Sequence, residues 1–232
     1  MNPPSRLGGW VETAYGRSLF ITMRTSFYID GFNLYNRAII DTNYKWLNLL
    51  ELCRGIVPTH EVTQIRYFTA IVEPRGDPQR PARQRLYLRA LRTIPVLTIH
   101  LGKFMPRTKI RPLASNPTQF VAILDTEEKG TDVNIATYMM LDGYEGRYEQ
   151  AVVISNDADL ALPVSTIAAN LPNLHKPVGV VNPNLDPLKV MPVDLVNAAT
   201  FVRQLRESLL RRCLFPPDMS DSKGTFHKPP AW

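Results

Sequence analysis

Two hydrophobic patterns alternate along the chain from about residue 24 onward. Short runs of β-branched and aromatic residues, bounded by Gly, Pro, Asn or Asp, predict strands. Longer stretches with apolar residues three and four positions apart predict helices. The predicted strands are 26–30, 62–72, 95–101, 119–124, 151–155 and 177–181. The predicted helices are 31–54, 82–92, 132–141, 159–170 and 193–213.

This order of elements predicts the fold class. Strands that are separated by helices run parallel, and the helices then cover both faces of the sheet. The sequence therefore predicts an α/β protein with three layers, α/β/α, around a central, mostly parallel sheet of the Rossmann-like type. The stretch 102–117 is basic and contains several prolines, so it is predicted to be a connection and not a strand.

The length of the chain fits one domain with extensions. A chain of 232 residues buries a full core in a single domain. The predicted organisation is an N-terminal extension (1–23), one domain (24–213) and a proline-containing C-terminal tail (214–232). The tail is predicted to be extended, with Phe215 and Trp232 either packed on the domain or loose.

Aspartates follow several of the predicted strands. Asp30 ends the first strand, Asp132 follows strand 119–124, and Asp157 and Asp159 follow strand 151–155 in the segment VVISNDADL. Each of them alone is also typical of a helix cap or a turn. The carboxyl ends of parallel strands meet at one edge, where ligands bind. Four carboxylates at one edge repel each other unless a cation neutralises them, and oxygen ligands favour Mg²⁺ or Mn²⁺.

Other polar residues near these aspartates are candidates for supporting roles. Asn33, three positions after Asp30, is predicted to cap a helix or to orient a carboxylate or a phosphate. Basic residues with an aromatic neighbour hold single nucleic-acid strands through phosphate contacts and stacking, although a solvated basic surface has the same pattern. The candidates for substrate contact are Lys129, Ser155, Arg85, Arg89, Lys103 and Arg107.

The net charge and the cysteine content indicate the kind of partner and the cellular location to expect. The net charge of +6 and the pI near 9.4 suit a polyanionic partner. Cys53 and Cys213 suggest neither a disulfide framework nor a metal site, which favours a reducing, cytoplasmic location. Because no apolar run approaches about 18 residues and the first 22 residues lack a signal-peptide pattern, no membrane partner is expected.

Four blocks together resemble a known family. The blocks FYIDGFNLYNRA, RQRLYLRAL, EEKGTDVNIATYMMLD and VVISNDADLALPV are similar to a bacterial NYN-domain protein, a branch of the PIN-like nucleases. The resemblance extends from about Thr25 to the end of the chain. It departs from the family at Asn156, where many relatives have Gly, and at Leu160, where many have Phe.

The resemblance implies a PIN-like fold and a metal-dependent nuclease, specifically an endoribonuclease, with RNA as its partner and Mg²⁺ or Mn²⁺ as its cofactor. It also implies products with 5′-phosphate and 3′-hydroxyl ends. The family's catalytic set corresponds to Asp30, Asn33, Asp132, Asp157 and Asp159, and its metal ligands correspond to the four aspartates. Asp30 and Asp157 are expected to be direct ligands. Two alternative functions stay open: an RNA-binding or regulatory scaffold without catalysis, and a nuclease that acts on DNA. A homodimer is an open expectation for the partners.

Overall fold

The computed structural model describes residues 10–12, 18–20, 22–74, 76–170 and 176–232. Strands β1 (Trp10–Glu12) and β2 (Ser18–Phe20) form a short antiparallel pair. Apart from these strands and residues 22–23, the predicted extension 1–23 lies outside the described residues.

A six-stranded sheet, parallel throughout, forms the centre of the domain. Its strands stand in the order β10-β9-β8-β3-β4-β5, and each neighbouring pair is parallel. They are β3 (Arg24–Asp30), β4 (Glu61–Thr69), β5 (Leu97–Leu101), β8 (Gln150–Ile154), β9 (Val178–Asn182) and β10 (Phe201–Gln204). With helices on both faces, this sheet confirms the predicted three-layer α/β/α class.

The helices are short, apart from two. They are α1 (Gly31–Leu34), α2 (Leu49–Ile56), α3 (Arg80–Leu91), α4 (Thr131–Tyr144), α5 (Ala161–Ser165), α6 (Val193–Ala198) and α7 (Glu207–Arg212). Helix α1 continues into a π-helical turn, Tyr35–Ile39, and a second such turn, Thr166–Asn170, follows α5. In the part of the chain that the structure describes, no helix has the length and apolar character needed to cross a membrane.

The sheet is buried on both faces. Successive side chains of a strand point to opposite faces, so Phe27 and Ile29 of β3 belong to one core, and Tyr28 belongs to the other. The first core includes residues of α2 and α3, and the second includes Ile135 and Met139 of α4. Near-continuous hydrophobic strands are typical of such doubly covered parallel sheets.

The strand order reverses between β3 and β8. From β3 the chain proceeds to β4 and β5 on one side, and it then returns to β8 on the other side of β3 and proceeds to β9 and β10. The connection after β3 leads to one side of the sheet, and the connection after β8 leads to the other side. A crevice therefore forms between the carboxyl ends of these two strands. Ligands of open α/β sheets bind in such a crevice.

Residues 119–124 form a strand as predicted, but two other predictions for 102–124 are wrong: the stretch 102–117 is not a mere connection, and strand 119–124 does not belong to the central sheet. Strands β6 (Lys103–Leu113) and β7 (Asn116–Lys129) pair antiparallel in a long hairpin, here called the arm, that is separate from the central sheet. The apolar run 119–124 therefore pairs with a strand nearby in sequence and not with a strand of the central sheet. A central position in the sheet was wrongly expected because these residues are apolar. In the structure the side chains of Ile110, Phe120 and Leu124 are largely exposed.

The predicted helices 193–213 and 31–54 are each interrupted. Between α6 and α7 the chain forms β10, because Phe201 and its neighbours pair with β9 at the edge of the sheet. Between residues 39 and 49 the chain leaves the helix, and Asn48 starts α2 by accepting hydrogen bonds from the backbone N–H groups of Leu50 and Glu51 (3.0 and 3.3 Å). Just before Asn48, Leu47 forms a β-bridge with Leu214, so tertiary pairing overrides local helical periodicity in both places.

The C-terminal segment packs on the domain. Strands β11 (Asp218–Asp221) and β12 (Gly224–His227) form a hairpin, which Arg89 of α3 holds by donating to both carboxylate oxygens of Asp221 (2.8 and 2.6 Å). The rings of Phe215, Phe226 and Trp232 surround Trp46 at centroid distances of 6.0–6.4 Å. Residues 214–232 therefore complete the first core.

Candidate active site at the strand switch point

Asp30 lies at the carboxyl end of β3 and caps the helix that follows. Its side chain is 5% exposed. One carboxylate oxygen accepts the backbone N–H of Asn33 (2.9 Å), and the other accepts the hydroxyl of Ser155 (3.1 Å). Because both oxygens are held from opposite sides, the orientation of this carboxylate is defined before any ligand arrives.

The turn after β8 presents Asp157 beside Asp30. The backbone N–H of Asp157 donates to the Ser155 hydroxyl oxygen (3.2 Å), and the Asp157 carboxylate accepts the backbone N–H of Asp159 (3.0 Å). Ser155 is completely buried, so it links the two aspartates from behind. In this structure its hydroxyl is buried and holds the two aspartates, and its role in direct substrate contact stays a prediction.

The start of α4 supplies the third carboxylate. Gly130 precedes the helix with a φ of 94°, a conformation that favours glycine, and the chain turns there from the arm into α4. Thr131 and Asp132 follow at the helix start. The Thr131 hydroxyl is buried and has no hydrogen-bond partner, which marks an unsatisfied polar atom at the site.

Three of the four predicted aspartates line one cleft. The cleft has a volume of about 370 Å³ and is lined by Asp30, Phe32, Asn33, Asn36, Arg37, Thr131, Asp132 and Asp157. Asp159 is exposed and is not one of the residues that line it. The cleft lies at the carboxyl ends of β3 and β8, where the order of the strands reverses.

A series of hydrogen bonds also holds the positively charged side chain of Arg37 at the cleft. The carboxamide oxygen of Asn33 accepts the backbone N–H of Asn156 (3.2 Å) and the Nε–H of Arg37 (3.0 Å). Arg37 also donates to the carboxamide oxygen of Asn184 (3.4 Å). The sequence reading missed Arg37 and Asn184. The spacing of four between Asn33 and Arg37 on a helix is the one local signal that links Arg37 to the site.

Burial controls the protonation of Asp30. Loss of solvent raises the pKa of the Asp30 carboxyl above its ordinary value, and the nearby negative charge of Asp157 raises it further. Hydrogen bonds from Asn33 and Ser155 oppose this shift without cancelling it. A cation in the cleft would compete with the proton for this carboxylate, so ion binding should weaken as the pH falls.

The donor chemistry of the cleft fits a hard divalent cation. The carboxylates of Asp30, Asp132 and Asp157 line the cleft, and Thr131 adds a buried hydroxyl without a partner. All these donors are oxygens, the type that Mg²⁺ and Mn²⁺ prefer. Within the described residues, no three His, Cys, Asp or Glu side chains are arranged closely enough to hold one ion together. Water or substrate oxygens would have to complete the coordination, as is usual for Mg²⁺.

The remaining predicted substrate residues lie outside the lining of the cleft. Arg89 pairs with Asp221 and serves to anchor the tail hairpin, and Arg85 is exposed on α3. Lys103, Arg107 and Lys129 are exposed on the arm, whose second strand ends just before Gly130. The Phe104 ring at the base of the arm packs against Phe32 of the cleft (5.3 Å between centroids), so the arm begins beside the acidic site.

The raised pKa of Asp30 leads to a prediction about stability. The folded state holds this proton more tightly than the unfolded chain, so the free energy of unfolding should decrease as the pH rises from the ordinary pKa of 3.8 through the raised value. Asp30→Asn should lack this decrease. Urea unfolding between about pH 3.5 and 7.5, in EDTA, measures it, with the exposed Asp194→Asn as control. A difference that grows in favour of the wild-type protein with rising pH would contradict the assignment.

Comparison with known proteins identifies relatives of this arrangement. A family model described as "NYN domain" matches residues 24–176. The chain is 30% identical over 239 residues to 6-hydroxy-3-succinoylpyridine 3-monooxygenase HspA of Pseudomonas putida (strain DSM 28022 / S16), covering 90% of this chain and 75% of that protein. Its fold is similar to that of a crystallised protein of unknown function, VPA0982, from Vibrio parahaemolyticus RIMD 2210633. That match has a TM-score of 0.54 and 16% identity over 80% of this chain and 94% of the other.

Proposed function

The chain belongs to the NYN-domain family, and on that premise we propose that it is a metal-dependent ribonuclease that hydrolyses phosphodiester bonds of RNA. One observation carries the proposal: Asp30, Asp132 and Asp157 line a single cleft at the carboxyl edge of a parallel sheet, where the strand order reverses. The family match supports a nuclease in general, and the net charge of +6 suits a polyanionic substrate. We place the protein in the cytoplasm, where the buried, free thiols of Cys53 and Cys213 stay reduced.

Asp30 and Asp157 would hold the ion, with Asp132 and Asp159 as further ligands or as residues that position the attacking water. Bound Mg²⁺ or Mn²⁺ would lower the pKa of a water molecule and offset charge on the scissile phosphate. Asp159 would act from outside the lining of the cleft, so its contribution is expected to be the smaller one.

The chain's own residues prepare the site for this reaction. Ser155 and the backbone N–H of Asn33 hold the Asp30 carboxylate in one orientation. Asn33 in turn holds the turn at Asn156 and the guanidinium of Arg37. Arg37 lines the cleft and would contact a phosphate oxygen, because guanidinium groups match phosphate geometry.

The arm would guide a single strand toward the cleft. Lys103 and Arg107 are four positions apart on β6, so their side chains share one face of the arm, and both are exposed. Lys109 and Arg111 continue that face by their spacing. Phosphate contacts of this kind position a strand without reading its sequence.

Neutralising two arm cations should weaken RNA binding in a salt-dependent manner. Each lost phosphate contact lowers the slope of log K against log salt by about 0.7 for a single strand, so Lys103→Gln with Arg107→Gln should lower it by about 1.4. Fluorescence anisotropy with labelled RNA in EDTA, between low and moderate salt, measures the slope. The exposed pair Lys189→Gln with Lys223→Gln is the charge-matched control. An equal change in both double variants would remove the arm from the proposed path.

A second candidate function follows from the curated relative. That protein is named as a monooxygenase of 6-hydroxy-3-succinoylpyridine, and its similarity covers 90% of this chain, well beyond the matched NYN domain. The corresponding reaction would consume oxygen and two electrons from a donor. Oxygen uptake in the presence of that pyridine and a nicotinamide or flavin reductant, without cleavage of RNA, would favour this candidate.

Cleavage of end-labelled RNA tests the proposed function directly. Purified protein with Mn²⁺ or Mg²⁺ is expected to release shorter products that carry 5′-phosphates, and EDTA is expected to stop the reaction. A DNA strand of matched sequence, assayed in parallel, distinguishes a ribonuclease from a nuclease of broader range. RNA that stays bound but intact in the presence of either metal would instead indicate a binding or regulatory protein.

A further inference from the structure

A second pocket shares the lining residue Phe32 with the acidic cleft. It has a volume of about 90 Å³ and opens between α1, the end of β4 and the first turns of α3. Phe32 lines both spaces, so the two are neighbours at the same edge of the sheet. Its aromatic walls are Phe32, Tyr35, Tyr67, Tyr87 and Trp232.

The wall formed by Tyr67 depends on a glycine. A Cβ atom on Gly31 would lie 2.6 Å from the carbonyl oxygen of Phe68 and 2.7 Å from Cζ of Tyr67, distances that real Cβ atoms do not adopt. Gly31 therefore lets α1 approach β4 closely enough for the buried Tyr67 ring to form the floor beside it. The negative charge of Asp30 is one cause that raises the pKa of Tyr67, after burial, so the floor also adjoins the acidic site.

Cations line this pocket together with the rings. Lys45, Arg80 and Arg83 contribute to the lining, and Arg83 is also paired with Asp77. Among the described residues that line the pocket, none is Asp or Glu. The Gln84 side chain is engaged with the backbone of Ala70 and Val72, so Lys45 and Arg80 are the charged groups most suited to a ligand.

We propose that this pocket binds a planar aromatic group that carries an anionic substituent. The ring would stack or pack edge-on against Phe32, Tyr35 and Tyr67, and the anion would meet Lys45 and Arg80. Apolar walls with a few convergent polar groups are typical of small-molecule sites. An apolar cavity of roughly 150 Å³ holds benzene, so the smaller volume here accepts part of a ring and leaves its substituent at the open mouth.

Two sources supply this chemistry, and both are compatible with the position of the pocket. One is a nucleotide, whose base would enter the pocket while a phosphate of the same strand reaches the acidic cleft across Phe32. The other is a free aromatic carboxylic acid. The site itself does not depend on strand cleavage, so its binding can be measured in EDTA without any reaction.

Paired probes test the anion and the ring separately. Benzoate is compared with benzyl alcohol, and uridine 5′-monophosphate is compared with uridine, with inorganic phosphate as the probe that has no ring. Trp232 lines the pocket and reports binding through its fluorescence, and calorimetry gives the dissociation constants. For ligands of this size we expect values in the millimolar range, on the order of 1 mM.

Two substitutions and a matched control locate the site. Arg80→Gln and Lys45→Gln should each weaken binding of the anionic probe by about tenfold, since a charge-assisted hydrogen bond contributes on this scale. Arg92→Gln removes the same charge from an exposed position at the C-terminal end of the same helix, outside the lining, and should leave binding unchanged. Thermal unfolding of the three variants checks that all remain folded.

The outcomes separate the two sources. Binding of benzoate alone identifies an aromatic acid, and binding of uridine 5′-monophosphate alone identifies a nucleotide. Either result supports the pocket if Arg80→Gln weakens the binding and Arg92→Gln does not. The proposal fails if neither anionic probe binds at millimolar concentration, if the neutral probes bind equally well, or if all three variants behave alike. Loss of RNA cleavage has no bearing on any of these readouts.

Discussion

Asp157→Asn is expected to lower metal-dependent cleavage of RNA by at least about a hundredfold. Substituting residues that merely support a metal ligand costs about 10- to 100-fold, and a direct ligand should cost no less. The amide keeps the size of the side chain and one oxygen, so the contact with the backbone N–H of Asp159 can persist. What it removes is the negative charge that a hard cation requires beside Asp30. Initial rates of cleavage, measured over a range of Mn²⁺ concentrations, give the size of the effect.

Asp159→Asn is the matched control for this variant. It changes the same chemical group two positions later, on an exposed side chain that does not line the cleft. We expect a smaller loss, and part of it should be recovered at high metal concentration. Equal cleavage by wild-type protein and Asp157→Asn would assign the activity to another site or to a contaminant, and equal losses in both variants would argue against the arrangement of the cleft.

Asp142→Ala is expected to lower the free energy of unfolding by about 3–5 kcal/mol. The carboxylate is completely buried and accepts two hydrogen bonds from Arg66 (2.6 and 2.7 Å) and one from the Tyr28 hydroxyl (2.7 Å). Its removal leaves the guanidinium of Arg66, itself 7% exposed, without its counter-charge inside the protein. An uncompensated buried charge, and not the loss of attraction as such, is the source of the cost.

Urea unfolding measures this effect, and a double variant tests its cause. Arg66→Met with Asp142→Leu removes both charges and fills the same space with apolar side chains, so it should recover most of the lost stability. Arg54→Met with Glu51→Leu gives the control for an exposed ion pair and should change stability little. If the double variant at positions 66 and 142 were as unstable as Asp142→Ala, the cost would have to come from packing.

The aspartates at the carboxyl edge of the sheet show how much of the site the local sequence pattern predicts. The strands that precede Asp30 and Asp157 were predicted within a few residues because each is a short, continuous apolar run that ends at a polar turn. Parallel strands then require both turns to be at the same edge. Asp132 was placed at that edge for a partly wrong reason, since the strand before it belongs to the arm and not to the central sheet.

The amino-acid sequence by itself determined the α/β class, the parallel order of buried strands and the aspartates at their ends, because these depend on hydrophobic periods and turn residues that act over a few positions. Only the tertiary structure decided that β10 interrupts a helical pattern, that β6 and β7 form an arm outside the sheet, that Arg37 lines the acidic cleft, and that Ser155 lies behind its aspartates. These features depend on which distant segment a residue meets. Pairing and burial between distant segments outweigh local propensities that differ by about 1 kcal/mol.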